Sequence, residues 1–167
     1  GSLPNNGKPL NNVVLNYPKV PIAEAFHTIR SNLIYYLYGK ESNTILVTST
    51  LPSEGKSFTS LNLATSFAMT NNRTVLLQFD LRKPSKIFNE LGTKALVGIS
   101  SYLIDKATLD EIIIPTEIPN LDLIQAGQIP PNPVELISSV KNRQLFEELK
   151  KKYDYIIVNS PPYGLVT

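Results

Sequence analysis

The sequence predicts an α/β fold in three layers, with a mostly parallel sheet between helices on both faces. Four short runs rich in Ile, Leu and Val lie far apart along the chain, and helical patterns fill the intervals between them. These runs are nearly continuous in apolar residues, as expected for strands that are covered on both sides. Strands that alternate with helices pair in parallel through right-handed crossovers. The predicted strands are Thr44–Thr48, Thr74–Phe79, Leu121–Gln125 and Tyr155–Val158.

Composition narrows the class of protein. With 42% hydrophobic and 18% charged residues, the 167-residue chain can bury one core. Its net charge of +2 is low for a general nucleic-acid binder, so we expect no nucleic-acid partner. Zero cysteines exclude a disulfide scaffold, and a single histidine, His27, argues against a Ser-His-Asp triad. No apolar run approaches the roughly 18 residues of a membrane span, so we expect a cytoplasmic globular piece.

The first 20 residues differ from the rest of the chain. Gly1 and Ser2 resemble a tag remnant, and the following stretch is rich in Asn, Pro and Gly. We therefore expect a linker or extended arm over residues 1–20, joined to something upstream, and a folded domain over residues 21–167.

Helices are predicted from apolar spacing and from residues that start or stop a helix. Gly39 ends the first of them. A later helix begins with Asn132 as N-cap, Pro133 at the first helical position and Glu135 three residues after the cap. The predicted helices are Ala23–Tyr38, Lys56–Thr70, Ile99–Asp105, Leu109–Ile113 and a pair within Pro133–Lys152.

The segment TLPSEGKS at residues 50–57 is the main indication of chemistry. It follows a predicted strand and opens a helix, which is the context of a phosphate-binding loop. Loop N–H groups and the positive helix end bind phosphate, Lys56 neutralises the β- and γ-phosphates, and Ser57 ligates Mg²⁺. The alternative is an ordinary strand–turn–helix, and Thr50 stands where the loop usually begins with Gly. The predicted nucleotide-binding residues are Pro52, Ser53, Glu54, Gly55, Lys56, Ser57 and Phe58.

Two further strand ends should open onto the same crevice. Open α/β sheets bind ligands outside the carboxyl ends of their strands. The second strand is followed by DLRKP at residues 80–84, and the fourth by Asn159 and Ser160. Asp80 is the only carboxylate at these positions, and beside a magnesium nucleotide it can hold the hydrated cation or accept a proton.

Four motifs in this order resemble the cytoplasmic kinase domain of bacterial tyrosine kinases (BY-kinases), of the capsular and exopolysaccharide biosynthesis family. The resemblance runs from about residue 21 to residue 167. The motifs are SEGKS at 53–57, DLRKP at 80–84, GQIPPNPVEL at 127–136 and YDYIIVNSPP at 153–162.

The resemblance implies a P-loop NTPase-like fold that takes ATP or ADP with Mg²⁺ and phosphorylates tyrosines, largely on neighbouring copies. It implies catalytic roles for Lys56, Asp80 and Arg82, with Ser57 and Asp80 at the metal. It also implies self-association into a ring, a membrane chain-length-determinant region upstream, and a place at the inner face of the plasma membrane. Because family members continue beyond the fourth predicted strand, we expect the C-terminal strands to be missing here.

The chain departs from the family pattern at three positions. Gln78 and Asn159 stand where the family has aspartates that face the metal. On the first helix, the ring-contact motif is represented by Glu24, His27 and Arg30, with a histidine in place of the middle arginine. The alternative for these three residues is a solvated helix face.

Two other functions compete with the kinase. Gln78 and Asn159 would suit a nucleotide-binding assembly module with little or no chemistry. A partition-type ATPase is the third hypothesis. Leu51 argues against it, because it stands where that group has a second lysine.

Overall fold

The computed structural model describes residues 11–40, 43–49, 55–81 and 97–160. The helices in these ranges are α1 (Val13–Asn16), α2 (Pro21–Leu37), α3 (Lys56–Ala68), α4 (Ile99–Leu103), α5 (Leu109–Ile112), α6 (Pro133–Ile137) and α7 (Val140–Lys152). The strands are β1 (Thr44–Val47), β2 (Thr74–Gln78), β3 (Ile113–Pro115), β4 (Leu121–Ile124) and β5 (Tyr155–Asn159). None of these helices combines the length and the apolar character that a membrane span requires.

The described strands form one sheet in the order β1-β5-β2-β4-β3. The pairs β1–β5, β5–β2 and β2–β4 are parallel, which confirms the predicted mostly parallel sheet. The edge strand β3 is antiparallel to β4 and is absent from the prediction. It has three residues and ends at Pro115, a residue that edge strands tolerate, so it carries no periodic signal of its own.

The core lies on both faces of the sheet, which confirms the three layers. Along β2, all five residues are buried, and alternate side chains enter opposite layers. Leu76 packs with α1, α2 and α3 on one face, whereas Val75 and Leu77 pack with α4, α5, α6 and α7 on the other. The sheet face that α3 covers borders the candidate site, because α3 begins at the carboxyl end of the sheet.

Residues 11–20 pack against the domain and are not a linker, which corrects the predicted boundary for this stretch. Val13 and Val14 are at most 2% exposed and join the core beneath α2 and α3. Asn12 caps α1 by accepting a hydrogen bond from the backbone N–H of Leu15 at 3.1 Å. Val13 and Val14 are too few to show helical periodicity, so this contact could not be predicted from the sequence. Residues 1–10 lie outside the described residues.

Asn62→Ala is expected to lower the free energy of unfolding by about 2 kcal/mol, because buried polar groups would lose their partners. Asn62 is fully buried in α3, where its Oδ1 accepts from the Val14 N–H at 3.0 Å and its Nδ2 donates to the Asn11 carbonyl at 2.9 Å. Urea unfolding measures the change. The control is Asn132→Ala, which removes an exposed amide paired with the side chain of Glu135 and should cost under about 0.5 kcal/mol. Equal losses would contradict the anchoring of α1 by Asn62.

The start of α6 follows the prediction in position and differs in detail. Asn132 is the N-cap and Pro133 occupies the first helical turn, as predicted. The Asn132 side chain makes no cap hydrogen bond to the backbone; its Nδ2 donates instead to Glu135 Oε2 at 3.1 Å. The predicted capping box is therefore replaced by a bond between the two side chains.

Candidate functional site

The carboxyl ends of three adjacent strands meet beside the start of α3. Asn159, at the end of β5, pairs in register with Val47 of β1 on one side and with Gln78 of β2 on the other. The pairing continues for one residue, because the Phe79 N–H donates to the Asn159 carbonyl at 2.9 Å. The structure thus brings the predicted second and fourth strand ends together.

The start of α3 is shaped to present its backbone to this edge. Gly55 is the N-cap and has a φ of +78°, in the left-handed region that residues with a Cβ rarely adopt. The first turn of α3 contains no acidic residue. The positive end of the helix is therefore not offset by a carboxylate within its own first turn, which suits it to an anion.

Lys56 reaches from α3 to the end of β5. Its Nζ donates to the Ser160 carbonyl at 2.6 Å, so the ammonium lies where the strand ends. A lysine ammonium has three N–H donors, and this bond is therefore compatible with phosphate contacts from the same amine. The sequence predicted Ser160 beside this crevice but not its contact with Lys56, because a backbone acceptor has no side-chain signature.

Ser57 lies against the amide of Asn159. The Asn159 Nδ2 donates to Ser57 Oγ at 3.3 Å. Gln78 and Asn159 are each only 3% exposed, and within the described ranges Gln78 Nε2 and Asn159 Oδ1 have no hydrogen-bond partner. Buried polar atoms are paired in most native sites, so these two atoms without partners mark a place that a bound ligand or water could complete.

Asp80 follows β2 by two residues and is half-buried. Among the residues that the structure describes, no three His, Cys, Asp or Glu side chains cluster to hold a metal. Magnesium in nucleotide sites is usually held by one or two carboxylates together with the phosphates and several waters. The Ser57 hydroxyl and the Asp80 carboxylate fit that limited role.

The other predicted site residues divide into two groups. Pro52, Ser53, Glu54 and Arg82 lie outside the described residues. Phe58 is in the first turn of α3, but its ring packs edge-on against Phe26 of α2 at 6.0 Å between centroids. Its side chain therefore serves the packing of two helices, and only its backbone can belong to the phosphate site.

The predicted ring-contact residues differ from one another. Arg30 Nη1 donates to the Ser66 carbonyl at 2.8 Å and to His27 Nδ1 at 3.1 Å, so these two side chains join α2 to α3. His27 Nδ1 also lies 2.9 Å from Ser66 Oγ. Glu24 is exposed on the same helix. A solvated face thus describes Glu24, whereas His27 and Arg30 have partners within the chain; the ring contact itself stays a prediction.

A polar cleft between α4 and α7 lies apart from these strand ends. Burial and a hydrogen bond to Glu148 raise the pKa of the Tyr102 hydroxyl above its usual range, so this phenol stays protonated. Lys141 Nζ contacts Asp105 Oδ1 at 2.7 Å and also lies over the Tyr102 ring. Because Lys141 is paired with a carboxylate, it is less suited than Lys56 to bind a phosphate.

Comparisons with known proteins agree with this geometry. The model of a family described as an AAA domain matches residues 43–167. The tyrosine-protein kinase CpsD of Streptococcus agalactiae is 38% identical over 145 residues, which are 86% of this chain and 62% of that protein. The chain spans less than two thirds of the length of the curated relatives it matches first.

Solved structures show the same likeness. The chimerical protein CapA2B2 superposes with a TM-score of 0.88 at 36% identity, covering 96% of this chain and 70% of that one. The kinase domain of the Escherichia coli tyrosine kinase ETK superposes with a TM-score of 0.87 at 30% identity, covering 95% and 63%. A septum site-determining protein MinD from Pyrococcus horikoshii, complexed with Mg-ADP, shares the fold alone, at 19% identity and a TM-score of 0.61.

Proposed function

Because the chain belongs to the AAA domain family and is a bacterial tyrosine kinase domain of P-loop fold, we propose that it binds ATP where β1, β5 and β2 end and transfers the γ-phosphoryl group to tyrosine. The observation that carries the proposal is the position of Lys56, whose Nζ lies 2.6 Å from the carbonyl that follows β5. We assign the binding of the phosphates to that amine, the first turn of α3 and Ser57.

The chemistry assigned to these residues is phosphoryl transfer. The tyrosine oxygen forms a bond to the γ-phosphorus, the bond from that phosphorus to the β–γ bridging oxygen breaks, and ADP leaves. Asp80 accepts the tyrosine proton, and Lys56 stabilises negative charge on the phosphate oxygens. Ser57 and Asp80 would hold Mg²⁺ together with the phosphates, and the cation would neutralise charge there.

The biological setting belongs to the same proposal. The names of the relatives support a kinase over an assembly module or a partition-type ATPase. We place the domain at the inner face of the bacterial plasma membrane, next to a membrane chain-length-determinant region or subunit. Its substrates are tyrosines on neighbouring copies of the chain, within a self-associated ring that controls polysaccharide polymerisation and export.

Incubation with magnesium and ATP tests the proposed activity directly. A tyrosine-containing copolymer serves as acceptor, and mass spectrometry detects phosphotyrosine. Asp80→Asn keeps the size of the side chain and is expected to slow transfer by on the order of 10²-fold, because the proton acceptor is lost. A wild-type chain that binds ATP yet forms no phosphotyrosine would contradict the kinase and support the assembly module.

A further inference from the structure

We propose that Gln78 and Asn159 make this site able to bind the terminal phosphates of ATP without a divalent cation. In this proposal, the two amides donate hydrogen bonds directly to the phosphates. This inference rests on the proposed nucleotide site and adds a property of the chain's own residues.

The two amides lie together on the face of the sheet that α3 covers. Gln78 and Asn159 pair in register on β2 and β5. Two residues earlier on the same strands, Leu76 and Ile157 pack into the core beneath α3, and alternation along a strand returns Gln78 and Asn159 to that face. The bond from Asn159 to Ser57 confirms the direction for this residue.

Burial makes the orphan atoms informative. Both side chains are 97% removed from solvent, since each is 3% exposed. Gln78 Nε2 is a donor without a partner in the described part of the chain, and an unpaired buried donor is costly to maintain. A phosphate oxygen at the end of β2 is an acceptor that would satisfy it.

Asn159 can adapt to a site with or without metal. Its contact with Ser57 involves a hydroxyl, which can donate as well as accept. The amide can therefore turn over, keep its bond to Ser57 and present N–H groups to phosphate in place of Oδ1. A carboxylate at this position has acceptors only and would repel the same phosphate.

The expected size of the effect follows from charge. A carboxylate about 5 Å from a phosphate charge, at an effective dielectric constant of about 20, weakens binding by on the order of 10²-fold unless a cation intervenes. Of Gln78, Asp80 and Asn159, only Asp80 contributes such repulsion, because the two amides carry no charge.

Equilibrium binding of ATP to the full chain, in magnesium buffer and in EDTA, tests the inference. Removing magnesium from the wild-type chain is expected to raise the Kd by no more than on the order of 10²-fold, the repulsion from the Asp80 carboxylate alone. In EDTA, Gln78→Leu is expected to weaken ATP binding by about tenfold. The change removes one hydrogen-bond donor to a charged acceptor and leaves the net charge unaltered, and a loss of this kind has that size. The control Gln144→Leu, on the exposed side of α7, should leave the Kd unchanged.

Restoring carboxylates gives the reciprocal result. In EDTA, the double variant Gln78→Glu/Asn159→Asp is expected to bind ATP on the order of 10²-fold more weakly than the wild-type chain does, and to regain the affinity with magnesium. A double variant that binds ATP in EDTA as tightly as the wild-type chain overturns the inference while leaving the nucleotide site intact. No ATP binding in either buffer contradicts the proposed function, and the inference with it.

Discussion

Lys56→Ala is expected to reduce the affinity of the chain for ATP by about 100-fold or more, because a charge-assisted contact to the β- and γ-phosphates is lost. The 2.6 Å bond from Lys56 Nζ to the Ser160 carbonyl holds the ammonium at the end of β5, directly beside the first turn of α3. Titration calorimetry in magnesium buffer measures the loss. Tyrosine phosphorylation should disappear with it.

Lys151→Ala provides the matched control for charge. Lys151 is exposed in the last turn of α7, which precedes the amino end of β5 and so lies at the opposite edge of the sheet. This change removes the same unit of positive charge and should alter the Kd by no more than about twofold, because salt screens distant charges. Equal losses in the two variants would mean that Lys56 acts only through net charge.

Gly98→Ala is expected to lower the free energy of unfolding by about 3 kcal/mol, at the upper end of the usual cost of overpacking. A Cβ at Gly98 would lie 2.3 Å from the Gln125 carbonyl oxygen and 2.4 Å from the Gly127 nitrogen. Both are backbone atoms held in place, since the Ile99 N–H donates to the same Gln125 carbonyl at 2.9 Å. The helix α4 and the end of β4 would have to separate.

Gly39→Ala tests the second reason for a glycine, which is a positive φ without a steric clash. Gly39 has a φ of +75°, but no atom lies within 4 Å of the Cβ that alanine would add. Its replacement should cost about 1 kcal/mol, the penalty of the left-handed conformation alone. Guanidinium unfolding compares the two variants. If Gly98→Ala lowers the free energy of unfolding by no more than Gly39→Ala does, the result contradicts the tight contact between α4 and β4.

The long elements could be predicted from the sequence because their signals are local. Apolar runs identified β1, β2, β4 and β5 to within a residue or two, and the start of α3 at Lys56 was predicted at the correct residue. The short elements α1 and β3 could not be predicted in this way. The helix α1 depends on partners far along the chain, as the contact between Asn12 and Thr65 illustrates. The strand β3 pairs with the neighbouring strand β4, but its three residues are too few to show a pattern.

The candidate site likewise has residues that motifs predict and contacts that only the structure shows. Gly55, Lys56, Ser57 and Asp80 were expected from motifs, and the structure places all four near the carboxyl edge of the sheet. The Lys56 contact with Ser160 joins residues 104 positions apart, and no pattern in the sequence specifies a backbone acceptor. Buried polar atoms without a hydrogen-bond partner can likewise be identified only once the neighbours of a side chain are known.

A comparison of ATP with AMP by titration calorimetry tests the phosphate cradle most directly. In the proposed site, the positive end of α3 and the Lys56 ammonium are assigned to the terminal phosphates, which AMP lacks. ATP is expected to bind with one site per chain, and AMP at least about 100-fold more weakly. Equal affinities for ATP and AMP, or no measurable heat with ATP, would contradict a phosphate-binding site at the start of α3.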